Sequence, residues 1–77
     1  MRILFFGRLG ETIGREILFD LPDGGCTIAE LRAALARDHA GLDAASVRAC
    51  IDHEIAPESA LVLPSHEVAF IPPLSGG

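Results

Sequence analysis

Only one stretch of this chain has helical periodicity, and it is opened by an explicit start signal. In Thr27-Ile28-Ala29-Glu30 the Thr hydroxyl and the Glu carboxylate, three residues apart, satisfy N–H groups that the first turn of a helix leaves unpaired. A helix is therefore expected from Ile28. Ile28, Leu31 and Leu35 recur on one side with Ala34 beside them, while Glu30, Arg32, Arg37 and Asp38 fall mostly elsewhere on the wheel. Gly41 is the expected stop, which gives about three turns. An amphipathic helix of that length can cover one face of a small sheet and no more.

The flanking segments supply the sheet. Met1 to Phe6 alternates Ile3 and Phe5 against Arg2, Leu4 and Phe6, as a strand does. Gly7 to Gly14, with three glycines and two charges, reads as a turn or loop leading to a second strand over Arg15–Leu21, whose Ile17, Phe19 and Leu21 share a face. Two strands this close in sequence form an antiparallel hairpin. Pro22-Asp23-Gly24-Gly25 is a turn signal before the helix. Beyond a short connector, Ser46 to Asp52 reads as a strand with Val47, Ala49 and Ile51 on one face. A short extended piece near Ile55 follows, then loops around Pro57 and Pro64, and a last strand over Glu67–Ile71. The order strand, strand, helix, strand, short piece, strand specifies an α+β fold, a sheet with one main helix packed on one face.

That helix leaves a problem unsolved. The first and last strands are apolar on both parities: Ile3 and Phe5 against Leu4 and Phe6, Val68 and Phe70 against Ala69 and Ile71. Strands apolar on both sides are expected where both faces are covered. If one set packs beneath the helix, the other forms an exposed apolar patch, and such patches mark interaction surfaces. Leu4, Phe6, Ala69 and Ile71 are the candidate partner interface.

The chain continues from that last strand into Pro72-Pro73-Leu74-Ser75-Gly76-Gly77. Two prolines fix φ and favour extended backbone. Two glycines without Cβ make a thread thin enough for a narrow pocket. Extended, these six residues reach roughly 20 Å. The expected organisation is a body over residues 1–71 and a flexible tail over residues 72–77, which by itself reads either as a working end whose terminal carboxylate does the chemistry or as an ordinary frayed terminus.

Seventy-seven residues make one small domain, and 49% hydrophobic content with four Phe and neither Trp nor Tyr implies a mainly aliphatic core. A net charge of −5 argues against nucleic acid, whose phosphates call for clustered basic residues. No apolar run reaches the ~18–20 residues of a membrane span, and no signal peptide precedes the first strand, so a cytoplasmic protein is expected. Cys26 and Cys50 read as reduced packing residues. His39, His53 and His66 lack ligand spacing, so no metal site is expected and all three are assigned to the surface. All six basic residues are Arg. An activated C-terminus therefore has no ε-amine on its own kind to attack.

The opening Ile3-Leu4-Phe5-Phe6-Gly7-Arg8-Leu9-Gly10-Glu11, the capped helix and the ending Glu67-Val68-Ala69-Phe70-Ile71-Pro72-Pro73-Leu74-Ser75-Gly76-Gly77 closely resemble the small, sulfur-carrier subunits of molybdopterin synthases. The likeness spans nearly the whole chain. It implies a ubiquitin-like β-grasp fold with a mixed sheet. It also implies that Gly77 is activated as an acyl-adenylate by an ATP-dependent E1-like enzyme and converted to a thiocarboxylate with a sulfur donor system. The carrier binds no cofactor of its own. Pro72, Pro73, Leu74, Ser75 and Gly76 would then thread Gly77 into the large synthase subunit, where sulfur passes to cyclic pyranopterin monophosphate to build the molybdopterin dithiolene. Ile71 departs from the resemblance where an aromatic is frequent, as do Pro64-Ser65-His66 before the last strand and Gly10 before Glu11. Other readings of the same chain are a thiamine-pathway or other ubiquitin-like sulfur carrier, a protein modifier forming amide bonds with target lysines, and a plain binding module. A stand-alone enzyme fits least, since no catalytic cluster is recognisable.

Overall fold

The computed structural model describes residues 1–44 and 46–73. The first strand, β1 (Arg2–Phe5), is followed by a short helix, α1 (Arg8–Ile13), and then by β2 (Glu16–Leu18). The chain next makes a two-residue strand, β3 (Cys26–Thr27), and the main helix, α2 (Ile28–Ala36). It ends with β4 (Arg48–Ile51), β5 (Glu54–Ala56), a second two-residue strand, β6 (Leu61–Val62), and β7 (Val68–Ile71).

Five strands form one mixed sheet in the order β2-β1-β7-β4-β5. β1 and β7 are its central parallel pair, with Ile3 beside Val68 and Phe5 beside Phe70. The remaining pairings are antiparallel. Strand β1 and β2 form the expected hairpin, which hydrogen bonds between Phe19 and Met1 extend past the strand ends. The segment between them is not the loop expected from its glycines. Leu9 and Ile13, one helical turn apart, both pack on the core and hold Arg8–Ile13 in a helix. Gly10 fits there because a Cβ at that position would lie 2.9 Å from the Phe5 carbonyl oxygen.

Helix α2 starts where its capping box places it. The Thr27 Oγ1 accepts the Glu30 N–H at 3.1 Å, and the Glu30 carboxylate accepts the Thr27 N–H at 2.9 Å. Those bonds stabilise the charged carboxylate and hold the Glu30 pKa below its ordinary value. The other end differs from expectation: regular helix stops at Ala36, and the Leu35 carbonyl then accepts both the Asp38 and the His39 N–H. Gly41, with φ 98°, belongs to the connector beyond. That connector sends Leu42 into the core, fully buried.

Ile28, Leu31 and Leu35 of α2 pack onto Ile3, Phe5, Val47, Ala49, Val68 and Phe70 of the sheet and its approach. The Phe5 and Phe70 rings stack with centroids 5.8 Å apart at the centre. Burying each of these large side chains contributes about 1.5–3 kcal/mol.

Arg32, one of the charged residues set mostly off the apolar stripe of the wheel, is buried all the same. It is only 8% exposed. Its Nη1 donates to the Leu42 and Val47 carbonyls at 2.8 and 2.7 Å, and Nε and Nη2 clamp the Glu58 carboxylate at 2.9 and 2.8 Å. The guanidinium also lies 5.5 Å from the Phe70 ring centre, within cation–π range. A planar fork of five donors can tie a helix to two loops at once, as no apolar side chain could.

The two-stranded sheet of β3 and β6 was not anticipated. Cys26 pairs with Val62 and Thr27 with Leu61, which binds the start of α2 to the segment after Pro57. Gly25 permits this approach, because a Cβ there would collide with the Val62 carbonyl.

Candidate functional site

The side of the sheet away from α2 carries the residues singled out as an interface. Because facing partners share a side of a sheet, the registers can be read straight across it. Leu4 lies opposite Glu16 on β2 and beside Ala69 on β7; Ala69 faces Cys50 on β4, and Cys50 faces Ile55 on β5. One row thus crosses all five strands, charged at one end and apolar along the rest. A second row lies nearer the end of β7. The Phe6 N–H donates to the Phe70 carbonyl at 3.1 Å, continuing the β1–β7 ladder so that Phe6 falls next to Ile71, which in turn faces Arg48.

All four expected residues therefore share one patch. Phe6 is 50% exposed, and Leu4, Ala69 and Ile71 are half-buried around it. They line a shallow hollow of about 180 Å³ with Cys50, His53 and Glu67. A wider depression of about 590 Å³ adjoins it at Leu4 and Phe6 and runs along Gly7, Gly10, Glu11 and Arg15. The sequence reading missed Cys50 and Ile55. Cys50 alternates with Val47, Ala49 and Ile51 and so had to point to the open side, a signal present in the strand itself. Ile55, 63% exposed, could be placed only once its pairing with Cys50 was known.

Charges border this apolar ground both beside Phe6, where Arg48 faces Ile71 and Glu11 and Arg15 line the wider depression, and at the other end. Arg2 bridges Glu16 at 2.9 Å and approaches Glu67 at 3.9 Å, and His53 Nε2 lies 3.6 Å from Glu67. The tight turn between β4 and β5 that presents His53 has positive φ at both Asp52 (49°) and His53 (72°), and the Asp52 carboxylate secures it by accepting the Glu67 N–H at 2.8 Å. A partner seated on the patch would meet apolar surface with charged residues at both ends.

Residues 72 and 73 leave from the Ile71 end of the patch. Pro72 is half-buried over Gly7, where a Cβ would come within 2.9 Å of the proline ring. Pro73 is exposed. Leu74, Ser75, Gly76 and Gly77, the rest of the expected tail and its reacting end, lie outside the described residues.

Both cysteines are free and buried. Burial, reinforced by the nearby Glu30 charge, pushes the Cys26 thiol pKa up. His53 is exposed, and His39 and His66 are half-buried at the surface. His66 Nδ1 accepts the Leu63 N–H at 3.0 Å. Among the described residues no three His, Cys, Asp or Glu side chains gather as a metal ion would require, and no helix is long and apolar enough to cross a membrane.

The fold recurs in solved structures. SAMP1 from Haloferax volcanii superposes with a TM-score of 0.79 at 25% identity, covering 99% of this chain and 97% of that one. A second structure from that organism, small archaeal modifier protein 1, gives 0.77 at 23% identity with 95% of each chain covered. A Pyrococcus furiosus protein provisionally assigned as molybdopterin converting factor, subunit 1, gives 0.80 at 17% identity, again with 95% of each chain covered. These likenesses establish the fold as a ubiquitin-like β-grasp. No curated protein matches the chain. The ThiS family model matches residues 3–77, from the first core residue of β1 through both terminal glycines, and the chain accordingly belongs to the ThiS family of ubiquitin-like sulfur carriers and modifiers.

Proposed function

We propose that this chain is the sulfur carrier of a molybdopterin synthase. An E1-like enzyme adenylates Gly77 at the expense of ATP, and a sulfur donor system displaces AMP to leave a thiocarboxylate. The open face then docks on the large synthase subunit, and the thiocarboxylate delivers sulfur to cyclic pyranopterin monophosphate. A bare carboxylate is a poor electrophile and oxygen its only nucleophile; activation followed by sulfur substitution turns the same terminus into a soft, anionic sulfur reagent. The chain brings the reacting group, and the large subunit brings the catalytic side chains.

The observation that carries this reading is the coincidence of the apolar patch with the root of the tail. Phe6 and Ile71 lie directly before Pro72, so a partner covering them stands where residues 72–77 can enter it. The Phe70-Ile71-Pro72-Pro73-Leu74-Ser75-Gly76-Gly77 ending and the fold shared with the Pyrococcus protein support it.

Incubation with the cognate activating enzyme, ATP and a sulfur donor should raise the intact mass by about 16 Da, one oxygen replaced by sulfur. No gain with demonstrably active enzyme would overturn the proposal. Deleting Gly77 should abolish transfer while leaving the fold and partner binding intact.

Similarity to SAMP1 over 99% of the chain favours one second reading, a protein modifier joined to target lysines by amide bonds. Adducts in cell extracts that survive both reductant and hydroxylamine would support it over the thiocarboxylate carrier. Capture of a thiazole synthase in place of a molybdopterin synthase large subunit would move the chain to the thiamine pathway.

A further inference from the structure

Once activated, the Gly77 carbonyl carbon is open to any amine or thiol that reaches it. This chain offers few. It has no lysine, so its amines reduce to the α-amine at Met1, and its only thiols are Cys26 and Cys50. The fold withdraws each one separately. The Met1 ammonium donates to the Phe19 carbonyl at 2.9 Å and is partly buried. Because β1 and β7 run parallel, it also lies at the end of the sheet opposite Ile71 and Pro72. Cys26 is 9% exposed, and Cys50, which lines the hollow of the open face, only 7%, so each offers little surface to an incoming acyl group. Hydroxyl groups, unassisted, are too weakly nucleophilic at neutral pH to compete.

We propose that the chain is an acyl donor that cannot serve as an acyl acceptor: neither the same molecule nor a second copy captures its activated Gly77. A carrier built this way keeps its reagent for the partner, and a modifier built this way is attached singly, never as a self-linked chain. The inference rests on the proposed function only in taking Gly77 as the activated residue.

The test uses the full chain bearing a thioester at Gly77, made by intein thiolysis so that no activating enzyme is needed. Self-capture by an amine forms a C–N bond, expels the thiol, which takes up the amine's proton, and yields a product lighter than the free acid by one water, about 18 Da. Folded wild type should give only the free acid by hydrolysis, and the hydroxamate when hydroxylamine is added. Arg8→Lys places an exposed amine next to Gly7, on which Pro72 rests. That variant should give the water-loss species, cyclic or two-chain, at least about tenfold faster than wild type, through proximity alone. Self-capture in folded wild type at the rate of Arg8→Lys would overturn the inference. So would an inert Arg8→Lys, which would place the protection in the tail's reach and not in missing nucleophiles, or a wild type unreactive to hydroxylamine. Failure of the sulfur-carrier reading would show instead as no mass gain with activating enzyme, leaving these masses unchanged.

Discussion

The two faces of the central sheet are built from the same strands and nearly the same residue types, yet they do opposite things. On one, Ile3, Phe5, Val68 and Phe70 are at most 2% exposed beneath α2. On the other, Leu4, Ala69 and Ile71 are half-buried and Phe6 is half in solvent, with no element across them among the described residues. Hydrophobicity alone does not separate core from interface. The difference is set by coverage, since one nine-residue helix spans one face and the second apolar face stays uncovered among the described residues, as an interaction surface would be.

The strongest way to break this contrast is to truncate its covered side. Phe70→Ala should cost about 3–5 kcal/mol, since the ring stacks on Phe5 and lies beneath Arg32. In a domain of this size that is a large share of total stability. Urea unfolding would report it, and a loss below about 1 kcal/mol would deny Phe70 its central place. Arg32→Met should follow, at about 1–3 kcal/mol, because it strips the Leu42 and Val47 carbonyls of their donor in a buried setting.

On the open face the effects should move from folding to binding. Ile71→Asp is expected to weaken partner affinity by about 2 kcal/mol or more while the fold persists. Ile55→Ala should weaken it less, because Ile55 lies at the far edge strand. Phe6→Ala should change stability by less than about 1 kcal/mol yet still lower affinity, as calorimetric titration against the partner would show. Equal losses of stability and binding across these three would erase the distinction between the faces.

The smallest expected effect separates helix from sheet by pH. Glu30 has its folded pKa depressed by the Thr27 bonds. Its contribution is therefore fully present above the ordinary Glu value of about 4.3 and is lost as pH falls through the lower folded value. Glu30→Gln should flatten that acid limb of the stability curve, measured by denaturation at a series of pH values.

Much of this was legible beforehand because it depends on neighbours in sequence. The capping box needs only residues 27–30, and the alternation of β1 and β7 follows from the two-residue period of extended backbone. Where reading failed, the deciding contact was remote. Arg8–Ile13 is helical because Leu9 and Ile13 find the core. The β3–β6 pairing joins residues more than thirty positions apart, and two-residue strands leave no periodic trace. Arg32 is buried because Glu58 and the Leu42 and Val47 carbonyls converge on it, and a helical wheel contains none of them.

By itself the sequence determined that a helix starts at Ile28, that the first and last strands are apolar on both sides, and that two prolines and two glycines follow. Those properties reside in side-chain chemistry and local backbone geometry. Only the tertiary structure decided that Cys50 and Ile55 join Leu4 and Ala69 in one row, that Phe6 meets Ile71 at the foot of Pro72, and that the Met1 amine lies at the far end of the sheet. Strand register and direction arise from hydrogen bonds between distant segments, and these alone bring such residues together or keep them apart.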